Sequence, residues 1–93
     1  MVTNYQRGRT FEYRVKQHLE KQGYYVVRSA GSHFPDLIAI KNGKVLAIEV
    51  KRYKPPQSVI QEVEQKAHEL IRYGITPCLA FLDRDGRIRL VVL

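Results

Sequence analysis

The stretch Pro35-Asp36-Leu37-Ile38-Ala39-Ile40-Lys41-Asn42-Gly43-Lys44-Val45-Leu46-Ala47-Ile48-Glu49-Val50-Lys51 decides the fold. It holds two runs rich in apolar and branched residues, which favour strands. Between them lies Asn42-Gly43, the strongest short hairpin signal, because both central positions of a type I′ turn need positive φ. With a two-residue loop, Lys41 pairs with Lys44, Ile40 with Val45, Ile38 with Ala47 and Asp36 with Glu49. Opposed residues point to the same side of the sheet, with Cβ atoms roughly 4.5–5.5 Å apart. Lys51 lies two residues past Glu49 and shares its side. A symmetric four-residue loop keeps this pairing, whereas a three-residue loop flips one strand.

The hairpin therefore predicts two carboxylates and an ammonium on one face, beside Ile38, Val45 and Ala47. A structural ion pair is the simpler alternative. However, two opposed acids repel, and a fold gains little from that placement unless a cation sits between them. Mg2+ takes oxygen ligands and is usually held by one or two carboxylates, water and substrate phosphate. A lysine beside it suits the orientation of a water or the stabilisation of charge developing on phosphorus.

Working outward, Asn4 to Gln22 shows helical periodicity and ends at Gly23. Phe11, Val15, His18, Leu19 and Gln22 fall on one stripe, with Gly8 and Glu12 on an overlapping row. Glu12 thus stands at the edge of the buried face, where a solvated glutamate is the ordinary outcome. Tyr24–Arg28 reads as a strand, followed by a loop to Phe34. After the hairpin, Pro55-Pro56 interrupts the chain. Ser58 to Gln61 matches a capping box opening a second helix, with Ile60, Val63, Ala67, Leu70 and Ile71 as its buried face and Gly74 at its end. A strand over Thr76–Leu82, a turn at Asp83–Gly86 and a last strand over Arg87–Leu93 complete the order αβββαββ. A mixed α/β sheet flanked by helices accommodates it.

Composition sets the limits. Ninety-three residues predict a single domain, 1–93, with a small core. A net charge of +7 suits a polyanionic partner. Basic residues group as Arg7, Arg9, Arg14 and Lys16, as Lys51, Arg52 and Lys54, and as Arg84, Arg87 and Arg89. The first two groups flank the carboxylates in sequence, so Arg7, Arg9, Arg14, Arg28, Arg52 and Lys54 are the candidate phosphate contacts. A solvated basic face is the alternative. His33, two residues before Pro35, is a candidate contact to DNA or to a metal-bound water. Tyr5, Tyr13 and Tyr53 are interleaved with these charges, placed either to stack on nucleotides or to pack against the protein. Cys78, the single cysteine, sits in an apolar run and reads as a buried thiol. With no signal peptide or apolar span, an intracellular location (cytoplasm or nucleoid) and no membrane association are expected.

Pro35-Asp36 with Glu49-Val50-Lys51 resembles the PD-(D/E)xK nuclease motif. Together with Arg7-Gly8-Arg9, Phe11-Glu12, Gly23 to Ser29, Gly31-Ser32-His33, Tyr73-Gly74 and Pro77 to Leu82, it is similar to the archaeal-type Holliday junction resolvases, phage relatives included. The resemblance implies a restriction-endonuclease-like core and Mg2+-dependent hydrolysis of DNA at four-way junctions, with Mn2+ a substitute ion. It implies Glu12, Asp36 and Glu49 as acidic metal-site residues, Lys51 as catalytic lysine and Ser32 as active-site serine. The carbonyl of Val50 is a further candidate ligand. A homodimer is expected as well. A four-way junction is two-fold symmetric and needs two cuts, and the last strand (Ile88, Leu90, Val92) wants cover. Two other readings remain at this point: a nuclease of the same core acting on flaps, nicked or duplex DNA, such as the VRR type, and a DNA-binding module without catalysis.

Overall fold

A computed structural model describes residues 3–29 and 34–93, apart from the side chains of Asn4, Tyr5 and Arg7. The elements run α1 (Asn4–Lys21), β1 (Tyr25–Arg28), β2 (Leu37–Lys41), β3 (Lys44–Tyr53), α2 (Gln57–Ile71), β4 (Ile75–Leu82) and β5 (Ile88–Val92). This is the αβββαββ order expected.

The hairpin forms as its turn demands. Asn42 and Gly43 take φ of 51° and 76°, and Lys41 pairs with Lys44, Ile40 with Val45 and Ile38 with Ala47. The strands line up β1-β2-β3-β4-β5 in one mixed sheet. Only β3 and β4 are parallel; the other neighbours are antiparallel. A parallel pair needs a crossover, and α2 supplies it.

Strand alternation divides the core between two faces. Phe11, Val15 and Leu19 of α1 are buried in one cluster with Val26, Leu37, Ala39, Leu46, Ile48, Cys78 and Ala80. The alternate residues Ala47, Leu79 and Phe81 are also buried. They point to the opposite face, where α2 packs on β4 and buries Val63 and Ala67.

Three local expectations are corrected. The capping box belongs to α1: the N–H of Gln6 donates to Thr3 Oγ1 (3.1 Å), and the N–H of Thr3 donates to Gln6 Oε1 (2.9 Å). Helix α2 starts one residue before Ser58, with Pro56 at the N-cap and no side-chain cap bond. The Pro56 carbonyl already accepts from Val59 and Ile60, so Ser58 lies inside the first turn. Ile71, expected in the buried face, is 54% exposed at the helix end.

The third correction bears on the site. Val50 pairs with Ala80, but Tyr53 pairs with Leu82, so β3 carries one extra residue across Lys51–Arg52. Simple alternation therefore stops at Val50. Such a bulge bends the strand and re-aims the side chains at it.

Candidate active site

Asp36 is held by the end of the hairpin. Its N–H donates to the Ile48 carbonyl (2.9 Å), and its carbonyl accepts from the N–H of Ser29 (2.9 Å). Its carboxylate Oδ2 accepts from the N–H of Val50 (2.8 Å). The last bond fixes the side chain across the strand gap, next to Glu49.

Glu49 projects from the middle of β3 on the α2 side of the sheet. Its pKa is pushed up to about 7. Partial burial is the largest cause, followed by a hydrogen bond to Asp36 and the Asp36 charge; Lys51 and Lys66 act in the opposite sense. The two carboxyls therefore share a site so close that one holds its proton near neutrality. Lys51 is half-buried at the bulge.

Glu12 reaches the same end of the sheet from α1. Its Oε1 lies 3.5 Å from Arg28 Nε. Its pKa is raised by burial and then by the Asp36 charge, against the opposing pull of Arg28 and then Arg9. Glu12 thus feels Asp36 while resting on Arg28. Among the described residues, no three His, Cys, Asp or Glu side chains converge as a metal-binding group. The tight convergence is the Asp36–Glu49 pair, with Glu12 beside it.

The basic candidates divide. Arg28 is engaged, its guanidinium 5.4 Å from the Tyr13 ring centre and its Nε against Glu12. Arg9 is exposed, yet close enough to act on Glu12. Arg14 follows Glu12 by two residues, roughly 200° around the helix; it lies over Phe11 instead (5.9 Å). Arg52 in the bulge and Lys54 past it are exposed, Arg52 over the Tyr53 ring (5.5 Å). Ser32, His33 and the Arg7 side chain lie outside the described residues.

Two residues were not legible beforehand. Lys66 on α2 acts on Glu49 only because the β3-α2-β4 crossover brings that helix over the site, a placement with no local signal. Tyr13 was read only as one of several tyrosines among charges; its contact with Arg28 depends on how α1 lies across β1.

Taken together, the mixed sheet, a helix on each face and a carboxylate pair at the hairpin's end define a restriction-endonuclease-like α/β fold. The profile of the archaeal Holliday junction resolvase (Hjc) family matches residues 3–75, and the chain belongs to that family. It is 51% identical over 51 residues to the crossover junction endodeoxyribonuclease Hjc of Methanocaldococcus jannaschii, which spans 55% of this chain and 38% of that protein. With the protein of the same name from Sulfurisphaera tokodaii it is 37% identical over 71 residues, spanning 70% of this chain and 49% of that one. The matches thus span half or less of these relatives' length. The structure of Hjc from Archaeoglobus fulgidus, a Holliday junction resolvase, shares the fold at a TM-score of 0.69 and 24% identity, over 92% of this chain and 72% of that one. No helix among the described residues is long and apolar enough to cross a membrane.

Proposed function

We propose that residues 1–93 act as one nuclease domain that cuts four-way DNA junctions by metal-dependent phosphodiester hydrolysis. The observation that carries this reading is the Asp36–Glu49 pair. Two half-buried carboxyls, one raised to about 7 by burial and by the other, are a standing cost to the fold that a hard divalent cation offsets. Their oxygens are the donors Mg2+ prefers, so the residues fit such an ion, with Mn2+ an expected substitute. Asp36 and Glu49 would hold it, joined by the Val50 carbonyl and by Glu12, directly or through water. When bound, the ion supplies Lewis-acid polarisation of the scissile phosphate and a more acidic water.

The chain's own residues do the rest. The Val50 N–H takes one Asp36 oxygen and so fixes how the carboxylate is presented. Lys51, aimed by the bulge, orients the attacking water and offsets negative charge growing on the phosphate. Arg9, Arg52 and Lys54 offer exposed charge for the neighbouring phosphates; Arg7 and His33 are carried over as phosphate contacts on sequence alone. Ser32 is carried over as an active-site residue on family resemblance. In-line attack would leave 5′-phosphate and 3′-hydroxyl ends. Such a substrate would place the protein with the nucleoid, inside the cell.

The junction as substrate rests on family membership and on the relatives' names. A homodimer matches its two-fold symmetry. It is also supported by β5, where Leu90, Val91 and Val92 are 37%, 41% and 65% exposed. Sedimentation showing a monomer at micromolar concentration, with and without DNA, would count against it.

The test is cleavage of a labelled synthetic four-way junction beside matched duplex and flap DNA, with Mg2+ and with EDTA. Paired symmetric nicks at the junction, lost in EDTA, are expected. Asp36→Asn should abolish them while leaving junction binding intact. Metal-dependent cutting without junction preference would keep the chemistry and discard the substrate; no cutting in any lane would discard both.

A further inference from the structure

Glu12, Tyr13 and Arg28 form a small cluster of their own. Arg28 ends β1 and pairs with Leu37; since Leu37 is buried under α1, Arg28 rises on the α1 face. Adjacent helix residues are roughly 100° apart, so Glu12 and Tyr13 meet it from two directions. Glu12 Oε1 stands 3.5 Å from Nε, and the Tyr13 ring lies 5.4 Å from the guanidinium carbon. The Arg28 side chain is 29% exposed, yet its Nε is shut off from solvent and makes no hydrogen bond among the described residues. The Glu12 contact is too long to hold a flexible arginine by itself. Beside the Glu12 contact, the ring face attracts the guanidinium and shields it from water.

We propose that Tyr13 is a positioning residue of the nuclease site: its ring holds the Arg28 guanidinium against Glu12, and so sets where the Glu12 carboxylate stands relative to Asp36. This deepens the function proposed above and rests on it. Without the ring, Arg28 turns to water, where its long side chain regains rotamer freedom. Glu12 then loses the partner that keeps it at the site's edge. The expected signature is a loss in turnover rather than in DNA affinity, because Tyr13 acts through Arg28 and Glu12 and not on the phosphates. The ring matters, not the hydroxyl.

The experiment uses the whole chain and two readouts, with Tyr13→Phe, Tyr13→Leu and Tyr13→Gln. The first is the Arg28 Nε–H resonance in the metal-free protein, assigned by its disappearance in Arg28→Lys. Wild type and Tyr13→Phe should show it ring-shifted and slow to exchange; the two ringless variants should show it at a random-coil position and exchanging fast. The second is single-turnover cleavage of the junction with Mg2+, beside Kd measured in EDTA. Tyr13→Phe should keep the wild-type rate, while both ringless variants fall about tenfold with Kd within about twofold. An unmoved Arg28 resonance in the ringless variants overturns the proposal. So does a moved resonance with wild-type turnover, or a loss confined to Kd. A wild type inactive on every substrate refutes the nuclease reading itself, and is recognisable because the loss then precedes any substitution.

Discussion

Glu49→Gln is the sharpest test of the carboxylate pair, because it should stabilise the metal-free protein. In the unfolded chain Glu49 ionises near its ordinary 4.5; in the folded protein it does so at about 7. Between those values the folded form binds the extra proton. The associated stability is fully present below about 4.5 and is lost as pH rises through about 7. Above that, the rise converts to roughly 3 kcal/mol against the folded state at full strength. Solvent still reaches part of the side chain, and screening reduces this to about 1 kcal/mol. Glutamine keeps the size and a donor towards Asp36 but never ionises. Thermal unfolding followed by far-UV circular dichroism in EDTA should give matching Tm values at about pH 4, below the unfolded value. At pH 8.5 the variant should melt higher by about 4–8 °C, the shift that 1 kcal/mol produces in a domain of this size. Millimolar Mg2+ should then raise wild type and not the variant. Equal melting at pH 8.5, or a variant less stable there, would refute the claim that the paired carboxyls strain the fold.

The remaining expectations concern packing and charge. Gly8→Ala should raise stability by about 0.5–1 kcal/mol in urea titration, since Gly8 lies inside α1 and an added Cβ meets nothing within 4 Å. Ile48→Ala, at a position with no exposure on the central strand, should cost about 2–5 kcal/mol and leave most of so small a domain unfolded at 37 °C by circular dichroism. Gly43→Ala should destabilise by about 1 kcal/mol or more in the same titration, because the turn holds φ at 76°. Under the proposed function, Lys54→Ala, which removes an exposed charge past the bulge, should reduce the salt dependence of DNA binding, read as a shallower slope of log Kd against log salt.

The αβββαββ order and hairpin were legible because their signals are local. Asn42-Gly43 dictates its own turn, and period-2 alternation then carries the register as far as Leu37 opposite Ile48, which leaves Asp36 just past the ladder and beside Glu49. The α1 stripe of Phe11, Val15 and Leu19 was readable for the same reason. The cap of α2 was misread because Ser58 and Gln61 fit a local pattern that Pro56, two positions earlier, had already pre-empted by starting the helix.

What the sequence by itself determined is therefore the pairing of two acids across one hairpin, since hydrogen-bond register is set by the turn and by neighbouring residues. Only the tertiary structure decided how those acids behave. Burial and the nearby Asp36 raise Glu49, a bulge in β3 falls at Lys51–Arg52, and the lie of α1 on β1 brings Tyr13 and Glu12 onto Arg28. Desolvation and long-range Coulomb interactions depend on distances between segments far apart in the chain, and no local pattern encodes those distances.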